Sequence, residues 1–130
     1  MDLSKLNAIF IGESEELLGR LEQSLLAMEE NPADPAHLRT IFQVMHTIKG
    51  NAGTMGLTKM AELAHHLEDA MEPIKDGKKS LNTATLDVLL ENLDIFRALL
   101  QEFQSGKDAG IDIKPPLERL QKALDSEGPE

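Results

Sequence analysis

His46 stands in a setting that suits a nucleophile. It opens the run His46-Thr47-Ile48-Lys49-Gly50, within a segment whose apolar residues Leu38, Ile41, Phe42, Met45 and Ile48 recur at helical spacing. At about 100° per residue those five side chains gather on one side, and His46 falls about 120° from their centre. It is expected to face solvent. On the helix surface Arg39 and Phe42 precede it, Lys49 and Gly50 follow one turn later, and Gly53 lies a further turn on. An exposed imidazole with a cation alongside and no side chain one turn above can be approached by a partner. A single surface histidine usually has no such task, so the case rests on what else the chain places beside it.

Projection of the following apolar segment (Met60, Leu63, Ala64, Leu67, Met71) puts Glu68 and Glu72 just off the stripe and His65 further round the same flank. His66 and Glu62 point the other way. If the two helices pack side by side, one edge brings His46 opposite His65 and Glu68. A Glu68 carboxylate accepting from one ring nitrogen of His46 would set its tautomer and leave the other nitrogen free to attack phosphorus. Other constellations fail. Glu62-Leu63-Ala64-His65 matches half of a two-metal bundle signature, but no second copy exists, so no metal site is expected. The glycines at 50, 53 and 56 follow no strand, and Lys49 precedes them, unlike a phosphate-binding loop. With no cysteine, thiol catalysis and thiolate metal sites are absent.

The elements that must position these residues read as helices. Aromatic residues make up only 3% of the chain, with no Trp or Tyr, while Leu, Ala, Glu, Met and Lys dominate. Leu3, Leu6, Phe10, Leu17, Leu21, Leu25 and Met28 recur on one face, so a first helix is expected over about 4–29, stopping at Asn31-Pro32. Asp34-Pro35 opens a second, over 35–50, which weakens where Gly50 and Gly53 remove side chains. A third covers 58–74, with Pro73 expected to kink or end it, and a fourth covers 83–104, capped by Asn82 or Thr83. Pro115-Pro116 begins a short last helix over 116–125, and residues 126–130 are expected to be disordered. The 130 residues therefore make one all-α domain, an antiparallel four-helix bundle with an additional short C-terminal helix packed across one end or flank.

Charge narrows the partners. Thirteen Lys and Arg against 23 Asp and Glu leave a net charge of −10, which disfavours nucleic acid and anionic membrane. No apolar run suits a membrane span, and the acidic start lacks a signal peptide's basic flank, so a cytoplasmic location is expected. Against that acidity, residues 35–61 hold no Asp or Glu but contain Arg39, Lys49 and Lys59. A surface that avoids negative charge and a largely buried helix both account for such a stretch.

The run from His46 to Leu57, followed by Leu63-Ala64-His65-His66-Leu67-Glu68, resembles the signature of histidine phosphotransfer domains, most closely the N-terminal domain of CheA-type chemotaxis histidine kinases. It covers Ser4 to Phe103 in helix order, and the fifth helix matches the chemotaxis subgroup. The resemblance implies that His46 accepts a phosphoryl group on Nε2 from a separate ATP-binding histidine kinase domain and passes it to an aspartate of a response-regulator receiver domain. It implies that Glu68 orients His46 through Nδ1, that Lys49 lies beside the phosphate, and that His65 joins the same polar network. Arg39, Phe42, Gly50 and Gly53 would then form the docking face. No cofactor belongs to the domain itself, since ATP and Mg2+ belong to the kinase domain. The isolated domain is expected to be a monomer and a piece of a longer kinase. Asn51, where a second glycine is frequent, and Pro73 depart from the pattern. The competing reading is a non-catalytic helical docking module.

Overall fold

The computed structural model describes residues 2–32 and 34–125, so the expectation for 126–130 lies outside the described residues. Its elements are α1 (Leu3–Glu30), α2 (Pro35–Thr54), α3 (Thr58–Lys75), α4 (Thr83–Ser105) and α5 (Lys114–Asp125). No helix among the described residues is long and apolar enough to cross a membrane.

Local chemistry sets most of the boundaries. Asp2 caps α1 by accepting from the amides of Ser4 and Lys5, and Asp34 caps α2 through the amide of Ala36 with Pro35 just inside. Asn82 caps α4 by accepting from the amide of Thr85 at 2.9 Å. The end of α2 departs from expectation. It runs through Gly50 and Gly53 to Thr54, because Ile48 and Ala52 stay buried on its inner face and keep the helix on the core. Gly56 is the glycine that stops it. Its φ of 73° lets its own amide reach Gly53 O and the Leu57 amide reach Ala52 O. Nor does Pro73 end α3. The helix continues two residues, holding Ile74 in the core, until Gly77 at φ 78° turns the chain and the Lys78 amide bonds Pro73 O at 2.8 Å.

The first four helices form the antiparallel bundle. α2 packs most heavily on α3 and also on α1, which meets α4 on its other side. α3 and α4 touch only lightly, and α5 lies along the seam between them, burying Pro116, Leu120 and Leu124. The flank, not the end, is therefore where the fifth helix packs. The core is apolar and continuous, with Leu21, Leu25, Ile41, Met45, Leu63, Leu67, Leu89 and Phe96 almost fully buried. Each such side chain contributes about 1.5–3 kcal/mol relative to exposure. Leu3 and Leu6 lie on the core-facing side of α1 yet are 70% and 42% exposed. At about 1.5 Å per residue α1 is roughly 12 Å longer than α2, and its first turns run past the helices that would cover them.

The glycines of the 50–56 stretch thus have opposite backbone requirements. Gly50 is helical, and a Cβ there would meet nothing within 4 Å. Gly50→Ala is expected to raise the unfolding free energy by up to about 1 kcal/mol, whereas Gly56→Ala, at positive φ, is expected to lower it by about 1–2 kcal/mol. Urea denaturation of both variants checks the pair.

Candidate functional site

α2 and α3 lie side by side, and their shared edge carries one buried carboxylate. Glu68 sits one position past Leu67 on α3, close enough to the apolar stripe to be pulled under the helix pair, and its side chain is only 11% exposed. A buried carboxylate requires partners for its oxygens. α2 supplies both from one turn. His46 Nδ1 lies 2.8 Å from Oε2, and Lys49 Nζ donates to Oε1 at 2.6 Å. Burial pushes the Glu68 carboxyl up, but the hydrogen bonds from Lys49 and His46 and the charges of both outweigh it and hold it below its ordinary value of 4.5. Glu68 is therefore ionised at neutral pH and only accepts.

That assignment settles the imidazole. Nδ1 carries the proton donated to Glu68, so in the neutral ring Nε2 carries the lone pair. The His46 side chain is 69% exposed, and no group among the described residues bonds Nε2. The result is a basic nitrogen held in one orientation at the surface, with a cation one turn away. Lys49 uses one of its three donors on Glu68, leaving the others for an incoming anion. Such an arrangement can accept an electrophilic phosphoryl group and offset charge on both the ring and the phosphate.

The remaining expected residues divide. His65 does not join the His46 network. It is exposed, lies 3.4 Å from Asp69 Oδ2 one turn on, and stacks on His66. The cause is its angular position, about 60° from Glu68, which turns it to the outer flank of α3. Arg39, Phe42, Gly50 and Gly53 run along the outer surface of α2 beside His46, as projected. Arg39, Gly50 and Gly53 are exposed and Phe42 is half-buried, with the Lys75 ammonium of α3 seated 4.3 Å from its ring centre. Sequence reasoning did not find that Lys75 contact or the burial of Glu68. It also missed a groove of about 760 Å³ along α1 and α2, lined by His46, by Glu68 of α3 and by Arg20 on its α1 wall.

Comparison with known proteins places this geometry. The Hpt domain model matches residues 5–106. The chemotaxis protein CheA of Bacillus subtilis is 36% identical over 113 residues, covering 87% of this chain and 17% of that protein. This chain thus spans about one sixth of the curated relatives it matches. Among solved structures, the CheA phosphotransferase domain from Thermotoga maritima superposes with a TM-score of 0.72 at 31% identity, covering 78% of this chain and 97% of that one. The phosphorylated P1 domain of CheA3, solved in complex with CheY6 from R. sphaeroides, shares the fold with a TM-score of 0.85 at 24% identity, covering 97% and 100%. A bundle whose second helix presents an exposed histidine tied to a buried glutamate on the third, matched by that model over most of its length, belongs to the Hpt domain family.

Proposed function

We propose that this domain relays phosphoryl groups in a chemotaxis-type two-component system. His46 Nε2 takes the group from an ATP-dependent histidine kinase domain and gives it to an aspartate of a receiver domain. The observation that carries the reading is the 2.8 Å contact from His46 Nδ1 to Glu68 Oε2, which leaves Nε2 basic and exposed. The CheA proteins among its relatives, and the fold shared with a phosphorylated domain solved in complex with CheY6, support the choice of donor and acceptor. In this reading ATP and Mg2+ are held by the kinase domain, and dependence on that donor puts the domain in the cytoplasm.

In the first half-reaction the Nε2 lone pair attacks the γ-phosphorus. An N–P bond forms as the P–O bond to ADP breaks, and the Nδ1 proton stays in place. The ring is now positively charged, and the Glu68 carboxylate beside Nδ1 offsets that charge. In the second half-reaction an aspartate oxygen bonds to phosphorus as the N–P bond breaks, returning a neutral ring. Because the transition state is loose, the domain contributes positioning and charge more than covalent help. A docking module without phosphotransfer would leave Glu68 and Lys49 no chemical task.

With a chemotaxis histidine kinase domain and labelled ATP, wild type is expected to incorporate acid-labile, alkali-stable phosphate. His46→Gln should incorporate none, while His37, His65 and His66 variants label normally. Loss of label in a His65 variant alone would overturn the assignment.

Glu68→Gln keeps an acceptor for Nδ1 but loses the charge, and labelling is expected to slow about 10- to 100-fold, by analogy with the loss when the carboxylate behind a metal-binding histidine is replaced. The same substitution has a pH signature. The folded-state pKa of Glu68 lies below its unfolded value of 4.5, so its stabilisation is fully present above 4.5 and is lost as pH falls through the folded value. The melting-temperature gap between wild type and Glu68→Gln should therefore be widest near neutrality and shrink on acidification below 4.5. A gap that grows instead would contradict the lowered pKa.

Gly50 leaves open space one turn above His46. Gly50→Leu is expected to fold at least as well as wild type while slowing transfer to the receiver, because the leucine would intrude between the ring and the incoming aspartate. Melting and transfer measured on one preparation separate the effects, and undiminished transfer would remove Gly50 from the docking face.

A further inference from the structure

We propose that α5 is a splint for the glutamate that orients His46, with Leu120 as a positioning residue that braces the turn of α3 weakened by Pro73. The inference deepens the relay reading of His46 and rests on it. Its first support is a hydrogen bond that the chain cannot make. Pro73 lies inside α3 and has no N–H, so the helical bond to Asp69 O is absent from the turn that begins one residue after Glu68. A helix interrupted in that way bends readily. Glu68 must nevertheless stay within reach of two donors on another helix, at 2.8 Å from His46 Nδ1 and 2.6 Å from Lys49 Nζ. A displacement of about 1 Å would carry either contact out of hydrogen-bonding range.

The second support is the place where α5 packs. His66, Asp69 and Ala70 of α3 and Leu117 and Leu120 of α5 line one small groove between the two helices. Those α3 positions lie about 100–200° round the helix from Glu68, so α5 backs the weakened turn from the side away from α2. α4 gives that side little support, since it touches α3 only lightly, whereas Leu120 and Leu124 of α5 are almost fully buried. The third support is a tie at the far end of the same turn. The amides of Lys78 and Lys79 donate to Pro73 O at 2.8 and 3.2 Å, and the Lys79 ammonium donates to Leu124 O at 3.0 Å. One lysine thus joins the proline to the last turn of α5. The turn that lacks its own hydrogen bond is held from outside, on the face opposite the one that carries Glu68.

The test reads the imidazole directly. Nitrogen NMR of protein carrying isotope-labelled histidine, at alkaline pH, reports which ring nitrogen of His46 holds the proton, and in wild type this should be Nδ1. Leu120→Ala is expected to show a mixture of the two tautomers, and labelling by a chemotaxis histidine kinase domain should fall about tenfold in kcat with KM unchanged. Leu117→Ala, at a half-buried position, should shift both readouts the same way by less, and it serves if Leu120→Ala does not fold. Pro73→Ala restores the missing N–H, so adding it to either variant should return the proton to Nδ1 and recover most of the labelling rate. Leu18→Ala truncates a core residue of α1 and should lower the urea midpoint without moving the proton. A proton that stays on Nδ1 in both α5 variants, an equal shift in Leu18→Ala, or no recovery with Pro73→Ala would each overturn the splint and leave the relay intact. A wild-type ring protonated on Nε2 would overturn both. If wild type takes no label, the relay reading falls, and the ring signals still judge the splint.

Discussion

The site depends on one carboxylate that is under the protein surface and still charged. Glu68 is acceptable in that position because α2 delivers two donors to its two oxygens, and those donors are three residues apart on one helix face. Moving α2 one residue along α3 would leave an ionised, desolvated group without a partner. The hydrogen bonds that orient His46 therefore also register the two helices that share the largest interface of the bundle. Chemistry and packing are set by the same three side chains.

That coupling explains the construction around the pair. α2 continues as a helix past Lys49, although Gly50 and Gly53 weaken it, because Ile48 and Ala52 on its inner face anchor the turn that holds Lys49 in place. The chain then reverses quickly at Gly56, so that α3 begins at Thr58 and brings Glu68 back alongside His46. α3 is backed from its other side by α5, which is tied to α4 through Arg119 and Glu91 and to the α3–α4 connection through the bond from Lys79 to Leu124 O. His46 is exposed, while the helices that orient it are backed by core.

Polar groups are distributed with the same economy. The outer face of α2 carries only uncharged or cationic residues, and the acidic majority lies elsewhere, so a strongly negative chain still presents a neutral to positive helix face around His46. The acid-free stretch thus has two causes at once. Its inner residues are buried core, and its outer residues border the site and the groove.

By itself the sequence determined the helical class, the five segments, the outward placement of His46 and the neighbourhood of Lys49 and Gly50, because each follows from spacing along a single helix, where about 100° per residue fixes direction. What lies between helices was not legible in that way. His65 and Glu68 project to the same flank, yet only Glu68 reaches His46, since a difference of about 60° decides which side chain falls beneath the neighbouring helix and which stays in water. Gly50 and Gly56 look alike as letters. Burial of Ile48 and Ala52 carries the helix through the first, and a positive φ at the second ends it. The exposure of Leu3 and Leu6 depends on how far the other helices extend, and the groove beside Arg20 is lined by side chains from three different helices. Tertiary structure decided these points because each is a relation between surfaces of different helices, and a periodic pattern contains only the direction each surface faces.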